Sequence, residues 1–255
     1  MRYFAELKYD GTAYCGWQRQ PGTPTVQGTL ETALSTLLRT PTETVGAGRT
    51  DTGVHAAYYV AHFDCAEQIA DTDKFLYKLN MILPEDIAVD SLTPVSDDAH
   101  ARFSAIEREY VYIIERSKNP FARCAAWQYY VPLDVARMNE AAALLSCVDD
   151  FTSFAKLNSN NKNNICRLIR AGWEESGSTL RFTIRADRFL RNMVRAVVGT
   201  LVDVGRGRLT VGDFRNIVAA RDLSLSSGGA PARGLFLCDV KYPDEIFTRR
   251  TPAKY

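Results

Sequence analysis

The chain has 255 residues, enough to bury a large core in one domain or in two closely joined ones. Hydrophobic residues at 46% and charged residues at 24% exclude an intrinsically disordered chain, and a formal net charge of +1 excludes a globally basic nucleic-acid binder while leaving local patches open. No apolar run reaches bilayer length, Met1 to Lys8 lacks the apolar stretch of a signal peptide, and the six cysteines form no Cys-x-x-Cys pair; a cytoplasmic protein with reduced thiols and no membrane segment is expected.

Alternation predicts a strand over Tyr3 to Tyr9, with a turn at Asp10-Gly11-Thr12. Tyr14 to Gly22 is an aromatic, basic and glycine-rich loop of a composition that often contacts ligands. Val26, Leu30, Leu34, Leu37 and Leu38 mark an amphipathic helix ending before Pro41. Ala57 to Phe63 reads as a buried strand, Phe75, Leu76, Leu79 and Ile82 as a helix stopped at Pro84, and Ile87 to Val95 as a strand. The order is βαββαβ.

The second half repeats that order with insertions. Strands are expected over Glu109 to Ile114 and Trp127 to Val131, and a helix from Asp134 through Met138, Ala142 and Leu145. The polar run Asn158 to Asn164 is a loop, since nothing in it can offset ordering by burial. Ile169 to Trp173 and Leu180 to Ile184 flank Gly177 as a hairpin. Leu190, Val194, Val197, Val198 and Leu201 form one helical stripe, Thr210 starts a further helix, and Leu235 to Tyr242 closes as a strand. The expected fold is α+β: two ferredoxin-like βαββαβ halves, 1–105 and 106–255, forming a largely antiparallel sheet flanked by helices with an active-site cleft between the halves.

Chemistry is concentrated in Ala47-Gly48-Arg49-Thr50-Asp51-Thr52-Gly53-Val54-His55. Gly48 and Gly53 permit backbone angles or close approaches that other residues resist, so the segment reads as a rigid loop presenting Asp51 at the mouth of a strand. The simplest alternative is a turn cap paired with Arg49. From Arg185 to Arg221 eight arginines face three aspartates. Arg188, Arg191 and Arg195 share a face if the following helix extends back to Arg188. Lys156, Lys162, Arg167 and Arg170 add a second basic segment suited to a phosphate backbone. Tyr110 and Tyr112 lie on one strand face; Tyr112 reads as packing, while Tyr110 can present a ring face and a hydroxyl. His55, His62 and His100 form no metal-ligand set, and no Gly-x-Gly-x-x-Gly or Walker loop appears, so neither metal nor cofactor is expected. Asp51-Thr52-Gly53 matches the aspartic-protease string, but that chemistry needs a second such aspartate in an apolar setting, and only one is present.

Five ordered motifs resemble one family, tRNA pseudouridine synthase A of the pseudouridine synthase superfamily. They are Tyr9-Asp10-Gly11-Thr12 with Gly16-Trp17-Gln18-Arg19-Gln20, the Gly48 to His55 stretch, His100-Ala101-Arg102-Phe103-Ser104-Ala105 leading to Tyr110, Asp150 to Phe154, and Phe189 to Arg195. The family usually carries alanine where this chain has Thr52. The resemblance implies an isomerase that converts uridine to pseudouridine in the anticodon stem-loop of tRNA (positions 38–40), acting as a homodimer. It implies Asp51 as the nucleophile, Arg49 and Arg195 pairing with it, and Tyr110 stacking on the flipped base and assisting proton removal. Arg19, His55, Arg102, Arg191 and Tyr110 are the implied substrate contacts. A catalytically silent tRNA-binding protein would share every basic and aromatic feature.

Overall fold

The computed structural model describes residues 1–156 and 163–247. The chain separates into two units, Met1–Ile106 with the residues from Leu237 onward, and Glu107–Phe236.

In the first unit, β1 (Arg2–Tyr9) is the central strand, antiparallel to both β3 (His55–Asp64) and β4 (Ile87–Val95). The short β2 (Thr44–Gly46) pairs with β3, as does the last strand, β9 (Leu235–Lys241). Strand β1 is apolar on both faces because it is covered twice: Tyr3, Phe4, Ala5 and Leu7 are all buried, Tyr3 stacking on Phe63 with centroids 5.7 Å apart. Helix α1 (Val26–Leu38) starts where the Thr25 hydroxyl accepts the Gly28 N–H, and buries Val26, Leu30 and Leu34. Helix α2 (Thr72–Ile82) is capped by Asp71, whose carboxylate accepts the Lys74 N–H at 2.8 Å, and ends before Pro84. These are the expected elements in the expected order.

In the second unit, β5 (Glu107–Glu115), β8 (Thr179–Ala186) and β7 (Leu168–Ser176) form an antiparallel sheet, the last two joined by the hairpin at Gly177. The strand expected over Trp127 to Val131 is shorter: β6 (Trp127–Gln128) pairs parallel with β5, and the chain then leaves the ladder after the Tyr129 N–H reaches the Glu115 carbonyl. Helix α3 (Val135–Ala143) is capped by Asp134, and α5 (Val211–Ala220) begins with a capping box in which Thr210 and Asp213 satisfy each other's N–H groups. Helix α4 (Met193–Gly205) is buried nearly all round, from Met193 to Gly205, as a helix enclosed on every side must be. The sheet in each unit is largely antiparallel with helices packed on it, the α+β class expected. Of the Asn-rich loop, Asn158 to Lys162 lie outside the described residues.

All six cysteines are free. Among the described residues no helix is long and apolar enough to cross a membrane, and no cluster of three or more His, Cys, Asp or Glu side chains could hold a metal ion.

Candidate active site

Asp51 lies half-buried in the loop between β2 and β3, four residues before the strand begins. The loop is short and held at nearly every residue. A turn closes through the Val54 N–H and the Asp51 carbonyl at 3.1 Å, while the Gly53 N–H donates to the Tyr14 carbonyl. Gly53 adopts a φ of 75°, the left-handed region expected for it. Gly48 does not need its freedom: its φ is not positive and a Cβ there would meet nothing. The close approach occurs instead at Gly16, which has a φ of 85° and lies so near Thr50 that a Cβ would strike its carbonyl oxygen. The Tyr14 to Gly22 loop is therefore largely a support. Tyr14 and Trp17 are buried, and the Trp17 N–H donates to the Thr50 carbonyl at 3.3 Å.

Arg49, two residues before Asp51, is exposed. His55, expected as a substrate contact, is only 2% exposed; its Nδ1 accepts the Gly11 N–H at 3.1 Å and lies 3.1 Å from the Asp10 carboxylate. The ring anchors the Asp10-Gly11-Thr12 turn. Arg19 and Arg102 are exposed as a polyanion contact requires. Arg19 is 3.4 Å from Glu31, and the Arg102 guanidinium lies 5.6 Å from the Phe103 ring centroid beside His100. His100 and His62 are both pushed toward the neutral form, chiefly by burial and then by nearby positive charge, so neither adds a cation at neutral pH.

In the second unit, Tyr110 is half-buried on β5 with its ring edge-on to Phe189, centroids 5.0 Å apart. Tyr112 is wholly buried and its hydroxyl donates to the Pro231 carbonyl at 2.7 Å, which is packing, as expected. Arg195 lies half-buried in the first turn of α4, its Nε donating to the Ala230 carbonyl at 2.7 Å. The helix does not extend back to Arg188: Asn192 takes a φ of 65° and interrupts it, so Arg188 and Arg191 belong to the preceding segment and share no helical face with Arg195. Arg191 is exposed, and its carbonyl accepts the Lys156 N–H. The arginine run is not one uniform basic surface either. Arg185 pairs with Glu109 at 2.9 Å, Arg206 and Arg208 share Asp203, and Arg221 pairs with Asp150 at 3.1 Å.

Sequence reasoning missed the residues beneath the loop: Thr50, Tyr9 and Tyr59, and the buried Glu31, which accepts the Thr44 N–H at 2.9 Å and so fixes β2. The spacing of Tyr9 and Tyr59 on strands that pair was the available signal.

A carboxylate on a braced loop, with exposed arginines on neighbouring segments, describes an α+β enzyme with a carboxylate-centred site suited to a polyanionic substrate. Comparison with known proteins makes this specific. A family model described as tRNA pseudouridine synthase matches residues 5–104 and 141–243. The chain is 52% identical over 247 residues to tRNA pseudouridine synthase A of Bacteroides fragilis, covering 96% of this chain and 98% of that protein. It is 50% identical over 246 residues to the protein of the same name from Parabacteroides distasonis (96% and 98% covered), and 39% identical over 246 residues to that from Bacillus licheniformis (95% and 99% covered). The chain belongs to the tRNA pseudouridine synthase family. Arg49, Asp51, Arg102, Arg191 and Arg195 lie inside the residues matched by the family model, and Tyr110 lies in the gap between its two segments.

Proposed function

We propose that the chain isomerises uridine to pseudouridine in tRNA, with Asp51 as the nucleophile. The observation that supports this most strongly is the braced, half-buried Asp51 at its motif position in a chain that matches a relative over 96% of its length. The ionised carboxylate attacks C1′ and displaces N1 of the uracil with the electron pair of the glycosidic bond; the uracil turns within the site, and its C5 then attacks C1′, breaking the bond to Asp51 and returning the free carboxylate. The C5 proton leaves and N1 gains one, so the reaction is an isomerisation. Arg195 orients the carboxylate, its own Nε being fixed on Ala230. Tyr110 stacks on the flipped base and assists removal of the C5 proton. Extruding a base costs a few kcal/mol, which phosphate contacts from Arg19, Arg49, Arg102 and Arg191 offset. The finer reading is a homodimer in the cytoplasm acting on the anticodon stem-loop. Incubating the chain with tRNA tritiated at uridine C5 tests the activity: released tritium is expected, and no release from any tRNA, with tRNA still bound, would establish the binding-only alternative.

A further inference from the structure

We propose that the hydroxyls of Tyr59 and Tyr9 are positioning groups for the Asp51 carboxylate, clamping its loop at the two residues on either side of Arg49. The inference rests on the nucleophilic role proposed above for Asp51. The Tyr59 ring is fully buried on β3, and its hydroxyl donates to the Gly48 carbonyl at 2.5 Å. Tyr9, the last residue of β1, is 4% exposed, and its hydroxyl pairs with the Thr50 Oγ1 at 2.9 Å in a buried contact. Gly48 and Thr50 are therefore each tied to a rigid ring, while Arg49 between them points outward and Asp51 follows immediately.

The geometry makes these two bonds more than local capping. Strands β1 and β3 are paired, Leu7 lying opposite Tyr59 and Tyr9 opposite Ala56, so both phenols measure the loop against the sheet. Their rings are mutually fixed: Tyr9 and Tyr59 meet edge-on at 5.6 Å, and Trp17 packs on Tyr59 at 4.3 Å while the Trp17 backbone N–H donates to the Thr50 carbonyl. A phenol has no freedom beyond its ring torsion, so a hydroxyl at the end of a packed ring transmits the position of the sheet to the loop. A nucleophile must meet its target within narrow tolerances, and a loop lacking its side-chain ties samples positions outside them.

The test compares Tyr59→Phe, Tyr9→Phe, Thr50→Val and Thr50→Ser with the unmutated chain and with Tyr3→Phe. Tyr3 is a matched control: it is equally buried on β1, and its hydroxyl accepts the Ile69 N–H at 2.9 Å at the opposite end of the strand. The readouts are kcat and KM for tritium release from C5-labelled tRNA, tRNA affinity by filter binding, and melting temperature. Tyr59→Phe and Tyr9→Phe are expected to lower kcat roughly ten- to a hundredfold with KM and tRNA affinity changed less than about twofold. Thr50→Val should match Tyr9→Phe, Thr50→Ser should restore kcat, and Tyr3→Phe should lower the melting temperature without lowering kcat. The threonine pair reads the Tyr9 arm even if a tyrosine variant fails to fold. Unchanged kcat in Tyr59→Phe and Thr50→Val, or losses that follow melting temperature as in Tyr3→Phe, would overturn the clamp. An inactive unmutated chain would overturn the proposed activity itself and the clamp's catalytic role with it, an outcome the unmutated control separates from the others.

Discussion

Acid is expected to loosen the turn that carries Arg102 through a single buried imidazole. His62 is 5% exposed, and its Nδ1 accepts the Ala101 N–H at 3.0 Å, one residue before Arg102. Burial foremost, then Arg2 and His100, push its pKa from the ordinary 6.5 down to about 4, with Asp64 acting in the opposite direction. The unfolded chain thus takes up a proton near pH 6.5 that the folded chain refuses until about pH 4. The stability contributed by the neutral ring is fully present above pH 6.5 and is lost as pH falls through that window. The gap between 6.5 and about 4 corresponds to roughly 3 kcal/mol at most, of which about 2 kcal/mol is gone by pH 5. His100 titrates in the same direction, so the comparison must isolate His62. Glu115 does not interfere: the Ser178 hydrogen bond, aided by Ser117 and Thr179 against the effect of burial, holds its carboxyl at about 2, and its contribution fades only below its ordinary 4.5. Urea titrations of the unmutated chain and of His62→Asn, which keeps an acceptor for Ala101, at pH 7.5 and pH 5 supply the assay. The unmutated chain should lose about 2 kcal/mol more than the variant between the two pH values. Equal losses would refute the reasoning.

Two further outcomes are expected. Glu31→Ala strands the buried Thr44 N–H and should cost about 1–3 kcal/mol in urea unfolding, whereas Glu31→Gln retains an acceptor and should cost about 1 kcal/mol or less. Arg195→Ala should reduce kcat far more than Arg215→Ala, since Arg195 is half-buried and fixed on Ala230 while Arg215 is exposed on α5; equal effects on tritium release would mean that the arginines act only as a general field.

Most of the fold was legible because its signals are local. The caps at Asp134 and Thr210, the stop at Pro84 and the hairpin at Gly177 sit within a few residues of the elements they define. What the sequence hid depended on distant partners. Arg185 and Arg221 look like free cations until the fold brings Glu109 and Asp150 to them. His55 looks like a surface contact until Gly11, 44 positions away, takes its Nδ1. The left-handed Asn192 that shortens α4 carries no strong local signature, since asparagine enters that region only sometimes. At the candidate site the Asp51 motif was legible as a string, but its support was not. The tyrosine hydroxyls reach Gly48 and Thr50 only through the register of β1 and β3.

The most direct test of the account replaces Asp51 with asparagine, which preserves the size of the side chain and removes its charge. With tRNA tritiated at uridine C5, the unmutated chain should release label, and Asp51→Asn should bind the same tRNA with similar affinity and release none. Release from the asparagine form at a rate comparable to the unmutated chain would contradict the assignment of Asp51 as the nucleophile.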